Sequence, residues 1–143
     1  MKKSRLFFYG IIALPVVSLF FAGSVESQEP PPLAVTDEAI CHNVVNLECL
    51  EAGTSFDSSV GTLTCFTRIN GAQGATTITH VWYFGDEERA RVQLDVRSSS
   101  WRTYSSKIIL PNEIGEWHVD VLGPEGELLK KLQFQISPQV RED

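Results

Sequence analysis

The stretch SWRTYSSKII, residues 100–109, gathers Trp101, Arg102, Tyr104, Ser105, Ser106 and Lys107. If it is a strand, side chains alternate. Trp101, Thr103, Ser105 and Lys107 then share one face, and Arg102, Tyr104 and Ser106 share the other. Neither face is plainly apolar, and each offers an aromatic, a hydroxyl and a cation. An aromatic plate beside polar donors suits a sugar ring. A cation beside hydroxyls suits a carboxylate, sulfate or phosphate. The same residues also suit architecture, since arginine stacks on tryptophan and Ser/Thr pairs lace neighbouring strands. A second focus is TTITHVWYF, residues 76–84, where alternation puts His80 with Ile78, Trp82 and Phe84. That face is apolar, so His80 reads either as a buried, hydrogen-bonded histidine or as a pocket residue beside Trp82.

Other chemistries find less support. Ser105 and Lys107 share a face, but a Ser–Lys dyad needs a desolvated lysine and oxyanion donors, and none is visible. A hydrolase reading would need Ser105 or Ser106 in a cleft, within hydrogen-bond reach of Lys107 or His80. There is no Gly-x-Ser-x-Gly elbow. His42, His80 and His118 lack zinc-motif spacing, and Glu87 and Glu88 sit at a turn. The expectation is a non-enzyme with no metal and no cofactor.

The elements that must position these residues are strands. In ERARVQLDVR, residues 88–97, Ala90, Val92, Leu94 and Val96 alternate with Arg89, Arg91, Gln93, Asp95 and Arg97. Residues 115–122 repeat the pattern with Trp117, Val119 and Val121 on one face, and residues 130–136 do so with Leu132, Phe134 and Ile136. NGAQG, GDEE and GPEG separate these runs as turns. About seven strands with no helical periodicity predict an all-β fold, an immunoglobulin-like antiparallel β-sandwich. Rossmann and P-loop designs are excluded.

The start of the chain reads differently. Lys2, Lys3 and Arg5 precede an apolar run over residues 6–22, followed by small Gly23 and Ser24. This order marks residues 1–24 as an export signal or, if uncleaved, an inner-membrane anchor. The remainder would be periplasmic or secreted. Residues 25–38, with Pro30, Pro31 and Pro32, read as a stiff linker, residues 39–137 as the domain, and residues 138–143 as a tail. The chain has 12 basic and 18 acidic residues; without Lys2, Lys3 and Arg5 the balance is 9 against 18, a net −9. That excludes nucleic acid as the main partner and leaves a membrane only through the N-terminal segment. Arg89, Arg91, Arg97, Arg102 and Lys107 nevertheless fall close together, as a local positive patch or as ordinary solvated strand faces.

Cys41, Cys49 and Cys65 in an oxidising compartment predict one disulfide and one leftover thiol. Cys41–Cys65 is favoured because both lie in strand-like segments. Cys41–Cys49 is the rival, and spacing does not choose.

Taken together, CHNVVNLECLEAGTSFDSSVGTLTCFTRINGA, TTITHVWYFGDE, WRTYSSKIILP and GEWHVDVLGPEGELLKKLQFQI resemble a bacterial family known as domain of unknown function 2914, over roughly residues 39–137. The positions that match its motif are His80, Trp82, Trp101, Arg102, Ser105, Ser106, Lys107 and Trp117. The resemblance implies an exported or membrane-tethered β-domain and carries no activity. Tyr104 stands where a tryptophan is common, and Leu47 and Cys49 stand where arginine and proline are usual. The second departure makes Cys49 the odd thiol and supports Cys41–Cys65. The resulting expectation is a non-catalytic binding module. Its ligand is an anionic or glycan group, or an unknown protein, held by Trp101, Arg102, Tyr104, Ser105, Ser106, Lys107, His80 and Trp82. A structural envelope scaffold is the alternative.

Overall fold

The computed structural model describes residues 10–16, 18, 20, 22–24 and 32–142. Residues 1–9, 17, 19 and 21 of the signal or anchor segment, and 25–31 of the linker, lie outside the described residues. Among those described there is no helix, and none is long and apolar enough to cross a membrane.

The chain forms an all-β sandwich. Ten strands appear where about seven were expected: β1 (Ala34–Cys41), β2 (Asn43–Val45), β3 (Glu48–Leu50), β4 (Ser55–Asp57), β5 (Thr62–Asn70), β6 (Thr76–Phe84), β7 (Glu87–Val96), β8 (Ser100–Ile108), β9 (Gly115–Leu122) and β10 (Leu128–Ser137). The extra ones are short: β2, β3 and β4 have three residues each. β1 begins at Ala34, inside the stretch read as linker. A three-stranded sheet, β1-β5-β8, packs against a five-stranded sheet, β4-β10-β9-β6-β7. All main pairings are antiparallel except β4 with β10, which is parallel.

Alternation explains the layers. From the five-stranded sheet, Ile78, Trp82, Trp117, Val119, Val121, Leu132, Phe134 and Ile136 point inward; from the three-stranded sheet, Ile40, Leu63, Cys65 and Ile69 meet them. At the centre the Phe134 ring lies 6.1 Å from Trp82, 5.9 Å from Trp117 and 6.2 Å from Phe56. Trp117 keeps its indole N–H satisfied by donating to the Glu113 carbonyl at 3.1 Å. The turn signals also hold: in GPEG, Gly126 has φ +82° and its N–H donates to the Gly123 carbonyl.

One element stands outside both sheets. β2 and β3 pair only with each other, joined by a turn at Asn46 and Leu47. A disulfide links Cys41 to Cys49, with the Cα atoms 5.7 Å apart, and Cys65 is the free, buried thiol. This corrects the favoured Cys41–Cys65 pairing and the reading of Cys49 as the odd thiol. The reason is facing. In the β1–β5 register Cys65 sits opposite Ile40, and Cys41 sits opposite Thr64. Cys65 and Ile40 point into the core, so Cys41 points to the other side of the sheet. Two strand cysteines on opposite faces cannot bond. Instead the chain folds back after Cys41, and the disulfide ties β3 down over the outer face of β1.

Candidate functional site

β8 divides the predicted site into two parts that do not meet. Trp101, Thr103, Ser105 and Lys107 face the core side, while Arg102, Tyr104 and Ser106 lie on the outer face of the three-stranded sheet. Trp101 packs half-buried against the core. Lys107 is also half-buried, and its Nζ donates to the Ile108 carbonyl at 2.8 Å.

On the inner side lies a closed polar network. His80 is 0% exposed and Ser105 is 5% exposed. His80 Nδ1 is 2.7 Å from Ser105 Oγ, and Nε2 is 3.1 Å from Thr67 Oγ1. The Trp82 indole N–H donates to the same Ser105 Oγ at 3.1 Å. Tryptophan only donates, so Ser105 accepts from Trp82 and has its own proton for His80. The short Oγ–Nδ1 distance suits a hydroxyl donor, which leaves Nε2–H to donate to Thr67. Burial holds the His80 imidazole down to about pKa 4, so at neutral pH it is uncharged. His80 is thus the buried, hydrogen-bonded histidine of the two readings, and with Trp82 and Ser105 it sits between the sheets. Ser105 does bond a histidine, but the pair is closed off from solvent and not in a cleft. Cys65 is sealed in the same interior, where burial, and secondarily Glu38, pushes its thiol pKa up.

The positive patch largely dissolves into local ion pairs. Arg89 lies 3.6 Å from Glu113 and 3.7 Å from Glu87, Arg91 lies 2.7 Å from Glu88, and Arg97 lies 3.2 Å from Asp95. Arg102 is different. It sits directly opposite Arg68 across the β5–β8 pair. Side chains at such positions have Cβ atoms roughly 5 Å apart, and like charges there repel. Among the described residues neither guanidinium is within 4.0 Å of a carboxylate. Arg68 Nε is buried and has no hydrogen-bond partner among the described residues.

These two arginines line a groove of about 390 Å³. Its floor is the outer face of the sheet, with Asp37, Phe66, Arg68 and Arg102; its wall is the hairpin, with Leu47, Glu48 and Cys49. Tyr104, 46% exposed, continues the floor from its position opposite Phe66. Sequence reasoning missed Arg68, Phe66 and the hairpin wall. A signal existed, since alternation in TCFTRI puts Phe66 and Arg68 on one face, but the register that sets Arg68 beside Arg102 is a tertiary fact.

Two larger grooves, each of about 440 Å³, run along β10. Beside one of them the Tyr83 ring stacks on His118 at 4.6 Å, and His118 Nε2 is 3.8 Å from Asp120 Oδ1. These side chains contact one another, and the cation on that face is the single Lys131, where the other groove has two arginines facing each other across neighbouring strands. Among the described residues no group of three or more His, Cys, Asp and Glu side chains is placed to hold a metal ion.

Comparison with known families decides part of the sequence reading. Residues 75–136 match the family described as Protein of unknown function (DUF2914). The matched segment is 62 of the chain's 143 residues. No curated protein matches the chain. The segment covers β6 to β10, less than the 39–137 span of the resemblance. Arg102, Trp82, His80 and Trp117 lie within it. Arg68, the Cys41–Cys49 disulfide and the hairpin lie outside it, and of the eight residues that line the groove only Arg102 lies inside it.

Proposed function

We propose that the protein is an exported, non-catalytic binding module whose groove beside Arg68 and Arg102 takes an anionic group, such as a carboxylate or phosphate. The observation that carries this is the cross-strand arginine pair, with the Arg68 Nε donor buried and unmet. No carboxylate lies within 4.0 Å of either guanidinium among the described residues, although Asp37 sits opposite Arg68 on β1 and lines the same groove. An anion between the two guanidinia relieves their repulsion and satisfies that donor by charge-assisted bonds. Charge density elsewhere points the same way, because the chain is acidic overall, net −6, and this cation pair is an exception on it. The anionic half of the sequence reading gains over the glycan half, since Trp101, the plate for a sugar, packs on the core. Export is supported by the disulfide, which persists in oxidising compartments.

Titration calorimetry with inorganic phosphate and with succinate tests the site. The wild type is expected to bind one of them saturably. Arg102→Gln and Arg68→Gln are each expected to weaken binding at least about tenfold, the cost of losing one charged hydrogen-bond donor. Lys107→Gln, on the inner side, leaves it unchanged. Equal affinities in all four proteins, or no saturable binding in the wild type, refute the proposal.

The scaffold alternative has one observation of its own. β8 is an edge strand, and its terminal Ile108 is 63% exposed. Unprotected edges recruit further strands. That reading predicts concentration-dependent self-association, read by sedimentation velocity and suppressed by Ile108→Lys. A monomer at all concentrations speaks against pairing between copies.

A further inference from the structure

The groove wall is the least supported part of the fold. β2 and β3 have three residues each and pair with no other strand. An isolated two-stranded hairpin is marginal in water. Its turn holds two non-glycine residues in the left-handed region, Asn46 at φ 53° and Leu47 at φ 60°, and Glu51 at its base adds a third at φ 55°. Such backbone needs outside restraint. Apolar burial supplies little, because Val45, Leu47 and Leu50 all remain exposed. At the base the chain is held by Gly53 N–H donating to the Ile40 carbonyl. The tie that presses the hairpin onto the sheet is Cys41–Cys49, eight residues apart in sequence, and Cys49 itself lines the groove.

The two cysteines differ in burial. Cys41 is fully buried under the hairpin, while Cys49 is only partly buried and lines the open groove. Cys65 is on the opposite face of the sheet and cannot take either partner over.

We infer that the Cys41–Cys49 disulfide is a redox latch on the anion groove: reduction by a dithiol frees the hairpin and lowers affinity for the anion. The inference rests on the anion-binding reading of the groove. A thiolate of the dithiol attacks the Sγ of Cys49, the less buried cysteine. That forms a mixed disulfide and releases the Cys41 thiolate, which takes up a proton. The second thiol of the reductant then displaces Cys49 as a thiol and leaves the reductant as a cyclic or protein disulfide. Two electrons and two protons pass to the protein. With the wall loosened, water reaches Arg68, and its bonds to an anion lose the low-dielectric setting that strengthens them.

The test uses the whole protein, oxidised and then reduced with dithiothreitol, and a Cys41→Ser/Cys49→Ser variant as a second route to the open state. Hydrogen exchange of the amides of residues 43–50 and phosphate affinity are read on the same samples. Reduction and the double variant are both expected to speed exchange in the hairpin at least about tenfold while β5 and β8 stay protected. Both are expected to weaken phosphate binding by about fivefold or more. Unchanged hairpin exchange overturns the latch. Loosened exchange with unchanged or tighter phosphate binding overturns the gating alone and leaves the anion site standing. Loosened exchange with no phosphate binding even when oxidised overturns the anion reading and the gate with it.

Discussion

Replacing Ser105 by alanine is expected to lower the unfolding free energy by about 2–5 kcal/mol in urea denaturation, because it strands two buried donors or acceptors at once. Ser105 Oγ accepts from the Trp82 indole N–H at 3.1 Å and serves His80 Nδ1 at 2.7 Å. Neither partner has solvent to turn to, as both Trp82 and His80 are 0% exposed. Each orphaned group costs about 1–3 kcal/mol, and the two share one atom, so the losses arrive together. Ser100→Ala is the control. Its hydroxyl donates to Asn70 Oδ1 at 3.4 Å at the exposed start of the same strand, where water replaces the bond. Its cost is expected within about 0.5 kcal/mol, the usual range for surface changes. Equal small effects for both variants would show that Ser105 is free for chemistry and that the interior network is not a structural unit.

Acid is expected to destabilise the fold through His80. The unfolded imidazole titrates near 6.5 and the folded one near 4. Between these values the unfolded state binds the proton and the native state does not, so stability falls as pH drops from about 6.5 and levels off for this group below about 4. Two and a half pK units correspond to about 3 kcal/mol, an order-of-magnitude figure for a buried group. Unfolding midpoints measured between pH 7.5 and 4 should decline with a slope approaching one proton. The native His80 imidazole should stay neutral by NMR down to pH 5. An imidazole that titrates near 6.5 in the folded protein would contradict the closed network.

What was legible in the sequence follows from what a strand pattern encodes. Where one face is apolar, as in β7, β9 and β10, alternation alone assigned inside and outside, and the core residues Trp117, Val119, Phe134 and Ile136 lie where it put them. β8 defeated the method because both its faces mix aromatic, hydroxyl and cation. Only the cross-strand neighbours decide: Ile69 and Cys65 face Trp101 and Ser105, while Phe66 and Arg68 face Tyr104 and Arg102. The eight residues grouped as one site therefore separate into an interior set and an exterior set. The disulfide failed for the same reason, since whether two strand cysteines share a face depends on register. The hairpin that folds back over the sheet has no periodic signal in six strand residues, so the groove wall was invisible.

The central claim is that Arg102 belongs to a site and not to the framework. Urea denaturation of Arg102→Gln against the wild type tests it most directly. Arg102 forms no ion pair among the described residues and faces Arg68 across the strands, where like charges cost roughly 0.2–1 kcal/mol. Removing the charge is predicted to leave stability unchanged or to raise it by a few tenths of a kcal/mol, as is common for residues held for function. A loss of about 1–3 kcal/mol would mean the guanidinium clamps buried partners, and the groove would be architecture.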